Sequence, residues 1–222
     1  MAVLACTEGE EIVLGRVGGG EGEPDAAVGG ASPHVGSFGG ASGVEEENPT
    51  PENLLLNGDF SQGTLGFQTS YAIVESEPLP AGELAVTEES SALHSELNED
   101  VADVSGEGFV LMVNGASEAN LPVYEQAFPV EEGARYRFSI WMRLWWSNPD
   151  QSPPRLELSL DGTKVSDLTE GVLLSGESWT ELSFEWNAGS TGLTELSLVN
   201  SHLEVMLNDF YLDAVAVHAI PQ

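Results

Sequence analysis

Between residues 135 and 145 the chain alternates with a period of two: Tyr136, Phe138, Ile140, Met142 and Leu144 fall on one side, and Arg137, Ser139, Trp141, Arg143 and Trp145 on the other. Successive side chains of an extended strand point to opposite faces, so the pattern predicts a strand whose first set enters a core. Residues 155–160 repeat the alternation through Leu156, Leu158 and Leu160, then meet Asp161 and Gly162, a favoured two-residue hairpin turn leading into 163–165. Residues 179–186 place Leu182, Phe184 and Trp186 inward against Glu181, Ser183 and Glu185, and 194–199 offers Leu196 and Leu198 in the same way. The runs at 109–113 and 207–217 are more continuously apolar, which predicts central strands covered on both faces. Many short segments of this kind, separated by Gly, Pro, Asn and Asp without a sustained helical period, predict an all-β fold: a two-sheet antiparallel jelly-roll β-sandwich.

The alternation begins only near residue 53. Before it, residues 7–51 are rich in Gly, Glu, Ala, Ser and Pro with few large apolar groups. Such a composition cannot bury enough surface to offset ordering entropy, so a disordered acidic tether is expected there. Its r.m.s. reach would be on the order of 35–40 Å, or it is an ordinary disordered terminus with no spacer role. The opening MAVLAC resembles the tail end of a bacterial lipoprotein signal, in which Cys6 would carry lipid. It lacks a basic start and a complete apolar segment, so either the true start lies upstream or the likeness is accidental. The expected organisation is therefore 1–6 as a signal remnant, 7–51 as linker and 52–222 as the sandwich.

Cys6 is the single cysteine, which excludes an internal disulfide framework and a Cys-based zinc site. No stretch approaches the roughly 20 apolar residues of a membrane-spanning helix, so any membrane attachment is expected through lipid. With 37 acidic against 6 basic side chains the formal net charge is -31, which repels phosphate backbones and argues against nucleic acid as a partner. The same acidity would suit a protein of high-salt habitats, although it leans towards Glu and sits heavily in the tether and loops.

Three segments carry a family likeness: NLLLNGDFSQGTLGF at 53–67, ARYRFSIWMR at 134–143 and NDFYLDAVAV at 208–217. They resemble the opening, middle and closing strands of galactose-binding-like jelly rolls, in particular CenC-type carbohydrate-binding modules. SWTELSFEWNAGSTGLTELSLVN at 178–200 is similar to the paired strands before the closing one. The resemblance covers about residues 53–219 and implies fold more strongly than ligand, because the matching residues are mainly turn formers and core groups. It implies a secreted or surface-displayed domain, monomeric, whose partner is a polysaccharide or other glycan. It also implies a structural calcium where the first and last strands meet, with Asp59, Asp209 and Asp213 at the matching positions. Two departures stand out: Ser61 replaces an acidic residue after the NGDF turn, and the closing Asp pair is reduced to Asp213 and Ala214.

Read from the residues, Asp59 could equally cap its own turn and Asp209 could be an exposed edge acid. Asp213 lies in an apolar strand, where a buried carboxylate needs compensation from a counter-charge. The candidate sugar platform is Trp141, Arg143, Trp145 and Trp146, with Tyr124 nearby. Sugar rings present apolar C–H faces rimmed by hydroxyls, so flat aromatics beside a hydrogen-bonding cation suit them. The alternative is that a loop covers Trp141 and that Arg143 and Trp145 form a structural cation–π pair. Catalysis is not expected: GxSxG, HExxH and P-loop motifs are missing, and His34, His94, His202 and His218 lack ligand spacing.

Overall fold

The computed structural model describes residues 52–75, 77–118, 120–146, 153–202 and 208–221. Cys6 and the expected tether lie outside the described residues, as do Leu207 and most of the loop after Trp146. The strands are β1 (Ala72–Ile73), β2 (Glu83–Thr87), β3 (Val110–Val113), β4 (Pro122–Val130), β5 (Arg135–Leu144), β6 (Leu156–Leu160), β7 (Thr163–Asp167), β8 (Thr180–Asn187), β9 (Gly192–Asn200) and β10 (Phe210–Ile220). Among the described residues the sole helical element is a single 3-10 turn, Ser90–Ala92. The strands form two sheets, ordered β1-β2-β3-β10-β5-β8 and β4-β9-β6-β7. Every pair is antiparallel except β1 with β2. The fold is a β-sandwich, as the alternation predicts.

β5 follows the period-two reading throughout: Tyr136, Phe138, Ile140, Met142 and Leu144 are buried, and the residues between them are not. The tight turn between β6 and β7 uses Asp161 and Gly162 with φ of 49° and 73°, the left-handed pair that lets a two-residue turn match the strand twist. β10 lies between β3 and β5, so Phe210 and Leu212 pack into the inter-sheet core while Tyr211 packs on the outer side of the sheet. Across the sandwich they meet Tyr124, Phe128, Leu156, Leu158, Leu196 and Leu198. Burying each such side chain contributes roughly 1.5–3 kcal/mol.

One expectation fails in detail. Residues 53–67 do not form a strand; they run as successive turns against β10. Asn57 organises them, its Nδ2 donating to the carbonyls of Gly63 and Leu65 at 2.9 and 2.8 Å and its Oδ1 accepting from Gln62 N–H at 2.8 Å. The contact with β10 falls at a bulge between Asp213 and Ala216, where Val215 N–H donates to the Gly58 carbonyl at 2.8 Å. A Cβ at Gly58 would sit 1.9 Å from the Val215 carbonyl oxygen, so close backbone approach requires glycine there.

Candidate functional site

β2 and β3 are antiparallel neighbours, and Thr87 and Val110 face each other across their ladder. A short turn could join them, but the chain takes residues 88–109 instead. Excursions of that length are uncommon in compact domains and are usually functional. This strap folds over the outer face of the six-stranded sheet. Leu93 and Val101 bury against it in a second apolar cluster that includes Trp145 and Tyr211.

Carboxylates fix the remainder of the strap. Asp100 accepts from Ser91 N–H and hydroxyl at 2.8 and 2.7 Å, and the Ser90 hydroxyl accepts from Val101 N–H at 3.0 Å. Asp103 accepts from the N–H groups of Gly106 and Gly108. The strap is tied to the sheet by Asp213, whose Oδ2 accepts from Val104 and Ser105 N–H at 2.6 and 2.9 Å while Oδ1 accepts from Ala214 N–H at 2.6 Å. Trp179 adds a tie from the far edge, its Nε1–H donating to the Ala102 carbonyl at 2.8 Å.

A cleft of about 450 Å³ opens between strap residues 96–102 and the sheet side, where Arg143, Trp145, Trp146 and Tyr211 line it. Three of the residues expected as a sugar platform thus come together, though not as an open stripe. Trp145 is only 5% exposed. Its indole N–H donates to the Phe210 carbonyl at 3.1 Å, and it forms the floor of the cleft. Half-buried Trp146 stands edge-on to it, with ring centroids 5.4 Å apart, and is the more accessible aromatic. Arg143 donates from Nε to the Gly176 carbonyl at 2.7 Å, which fixes its guanidinium beside the cleft. Trp141 does not line the cleft: in register it faces Asp213, where the strap is tied down.

Tyr124 corrects the platform outright. It is fully buried between the sheets, its ring stacked on Phe67 at 4.9 Å and its hydroxyl donating to Gln126 Oε1 at 2.8 Å. It belongs to the core, and burial pushes its phenol up from the ordinary value.

The three aspartates expected around calcium do not form one set. Among the described residues no group of three His, Cys, Asp or Glu side chains is placed to hold a metal. Asp59 accepts from Ser61 N–H and hydroxyl at 3.2 and 3.0 Å, capping its own turn, and lines a separate pocket of about 340 Å³ where residues 53–62 meet the β10 bulge. Asp209 is buried rather than an edge acid and accepts from Gly115 N–H at 2.9 Å. Asp213 is fully buried, and backbone N–H groups rather than a counter-cation compensate its carboxylate. Desolvation lifts Asp209 to about 6 and also raises Asp213. Hydrogen bonding lowers Asp100 and Asp103 on the strap.

Sequence reasoning missed the strap side of the site: Glu96, Asn98, Glu99 and Asp100, and on the sheet Tyr211. It also missed His94, whose ring packs 5.1 Å from Trp145 and 5.8 Å from Trp146. The available signal was the length of the polar stretch between two apolar strands, too long for the connection it makes.

No family model and no curated protein sequence matches the chain. Solved structures similar to it include a Stig cyclase from Fischerella sp. TAU in complex with an indole compound, at 12% identity and a TM-score of 0.55, covering 76% of this chain and 97% of that one. A second cyclase from the same source, in complex with 4-(1H-indol-3-yl)butan-2-one, gives 14% identity and a TM-score of 0.53, covering 75% and 96%. The CBM22-1 xylan-binding domain of Paenibacillus barcinonensis Xyn10C is similar at 13% identity and a TM-score of 0.45, covering 74% and 92%. At such identities the two cyclases establish the fold alone, the two-sheet sandwich that the strand order of the described residues already shows.

Proposed function

We propose that the sandwich is a non-catalytic carbohydrate-binding module that takes a saccharide in the cleft beneath the strap. The observation that carries this reading is the strap itself. It spans two strand ends that already face each other, so its length serves the outer face and not the connection. What it walls off suits a sugar: an accessible aromatic in Trp146, a fixed guanidinium in Arg143, and amide and carboxylate groups in Asn98, Glu96 and Glu99. Micromolar to millimolar dissociation constants, roughly 8 to 4 kcal/mol of binding free energy, are expected of such a shallow site. We place the domain at the cell surface, held through the N-terminal segment that carries Cys6; mass spectrometry of the natively expressed N-terminus reads lipidation directly.

A glycan array probed with the full chain tests the binding reading. At least one saccharide should bind, and Trp146→Ala should weaken it by roughly five- to thirtyfold, since losing a stacking partner removes roughly 1–2 kcal/mol. A larger effect of Trp141→Ala than of Trp146→Ala would move the site to the other side of the strap. The burial of Trp145 favours a second reading, a surface structural or protein-interaction domain without a sugar site. Absence of any saccharide binding by the folded wild-type chain would decide for it.

A further inference from the structure

The cleft beneath the strap differs from a neutral sugar platform in its charge. Strap residues Glu96, Glu99 and Asp100 line it against one cation, Arg143. Arg143 already gives its Nε–H to the Gly176 carbonyl, and Asp100 is engaged with Ser91. Glu96 and Glu99 are exposed on the strap and line the cleft together with Trp145 and Trp146. A carboxylate beside an aromatic wall is the arrangement that selects an ammonium group on an otherwise flat, hydroxylated ring. The ring's C–H face stacks, and the amine makes a charge-assisted hydrogen bond. The chain's net charge of -31 adds long-range attraction for the same ligands and repels uronate or sulfated ones.

Resting on the saccharide reading, we propose that the cleft is selective for cationic amino-sugars, oligosaccharides of hexosamine with free amines, with Glu96 and Glu99 receiving the ammonium and Trp146 stacking the ring. The test compares glucosamine and N-acetylglucosamine oligomers of equal length by calorimetric titration of the full chain. Mildly acid pH keeps the amine protonated. The glucosamine oligomer should bind roughly tenfold more tightly at low salt, the scale of one charge-assisted hydrogen bond. The preference should vanish in the double variant Glu96→Gln, Glu99→Gln, and should shrink in molar salt, where screening reaches about 3 Å. Equal binding of the two oligomers, or tighter binding of the acetylated one, overturns the charge selectivity and leaves the saccharide site standing. Glucosamine binding that survives Trp146→Ala unchanged overturns it also, because attraction to the acidic surface at large would then explain the affinity. If neither oligomer binds while other saccharides do on the array, the selectivity alone falls. If no saccharide of any kind binds, both readings fall together.

Discussion

The two faces of the six-stranded sheet are covered in opposite ways. Its inner face meets a second sheet, and Phe138, Ile140 and Met142 share one buried apolar core with Phe128, Leu158 and Leu198. Its outer face meets the strap, joined by Leu79 from the segment before β2; the strap's apolar anchors, Leu93 and Val101, are few, and most of its ties are hydrogen bonds, chiefly carboxylates holding backbone N–H groups. Apolar burial is indifferent to pH and spread over many contacts. A carboxylate tie is local and titrates. The inner face therefore fixes the fold, while the outer cover is the part of the molecule that solution conditions and single substitutions can move.

The sharpest way to break this contrast is a pair of cavity-making variants read by chemical denaturation. Phe138→Ala should cost about 3–5 kcal/mol of global stability. Trp145→Ala should fall at the lower end, about 3 kcal/mol, because the strap can settle into the space it leaves. If Trp145→Ala were the more damaging of the two, the strap would be part of the core and not a cover over it.

The pH dependence comes next. Asp209 is lifted to about 6 in the folded protein, so between its ordinary value and about 6 the native state binds the extra proton. Stability then falls as pH rises through that window, by up to roughly 3 kcal/mol. Asp100 and Asp103 are lowered, so their stabilisation is present above the ordinary carboxylate value and is lost as pH falls through their folded-state values. The two opposed limbs meet near the ordinary carboxylate value of 3.8, which places the optimum there, well below neutrality. Thermal melts across pH should show that maximum, and Asp209→Asn should make the alkaline limb shallower, leaving the part that raised Asp213 contributes and the acid limb unchanged. A melting temperature still rising from mildly acid to neutral pH would contradict the assignment.

Asp213→Asn should be smallest globally, about 1–3 kcal/mol, since it leaves one oxygen where three N–H groups had carboxylate acceptors. Its local signature is distinct: hydrogen exchange should accelerate at Val104 and Ser105 while β5 and β9 keep their protection. Uniform acceleration through both sheets would show that the tie supports the whole sandwich.

The inner face was legible because its strands obey one rule. In β5, β6 and β8 the inward residues recur at every second position, and burial follows them. β4 was harder. Its inward stripe is Tyr124, Gln126, Phe128 and Val130, and the amide at its second place interrupts the apolar pattern. Gln126 is tolerated there because it accepts from the Tyr124 hydroxyl and donates to the Gly66 carbonyl at 2.6 Å, a pairing made by residues far apart in sequence. Without that partner Tyr124 reads as a surface aromatic. Asp213 shows the same limit: its burial was legible from the flanking strand, but its compensation comes from amides 108 and 109 residues away. The cleft itself was not legible. Leu93, Leu97 and Val101 recur four residues apart, the spacing of a helix face, yet the segment forms only the 3-10 turn at Ser90–Ala92, and what they cover is decided only when β5 and β10 are side by side.

The pairing of Thr87 with Val110 carries a final consequence. Because both ends of the strap are clamped in adjacent strands, its content can lengthen, shorten or be rewritten while the ladder on either side stays in place. Doubling a flexible loop costs only about 0.6 kcal/mol in closure entropy. Changes between those two residues can therefore rebuild the wall opposite Trp146 while the ladder of the sandwich stays as it is.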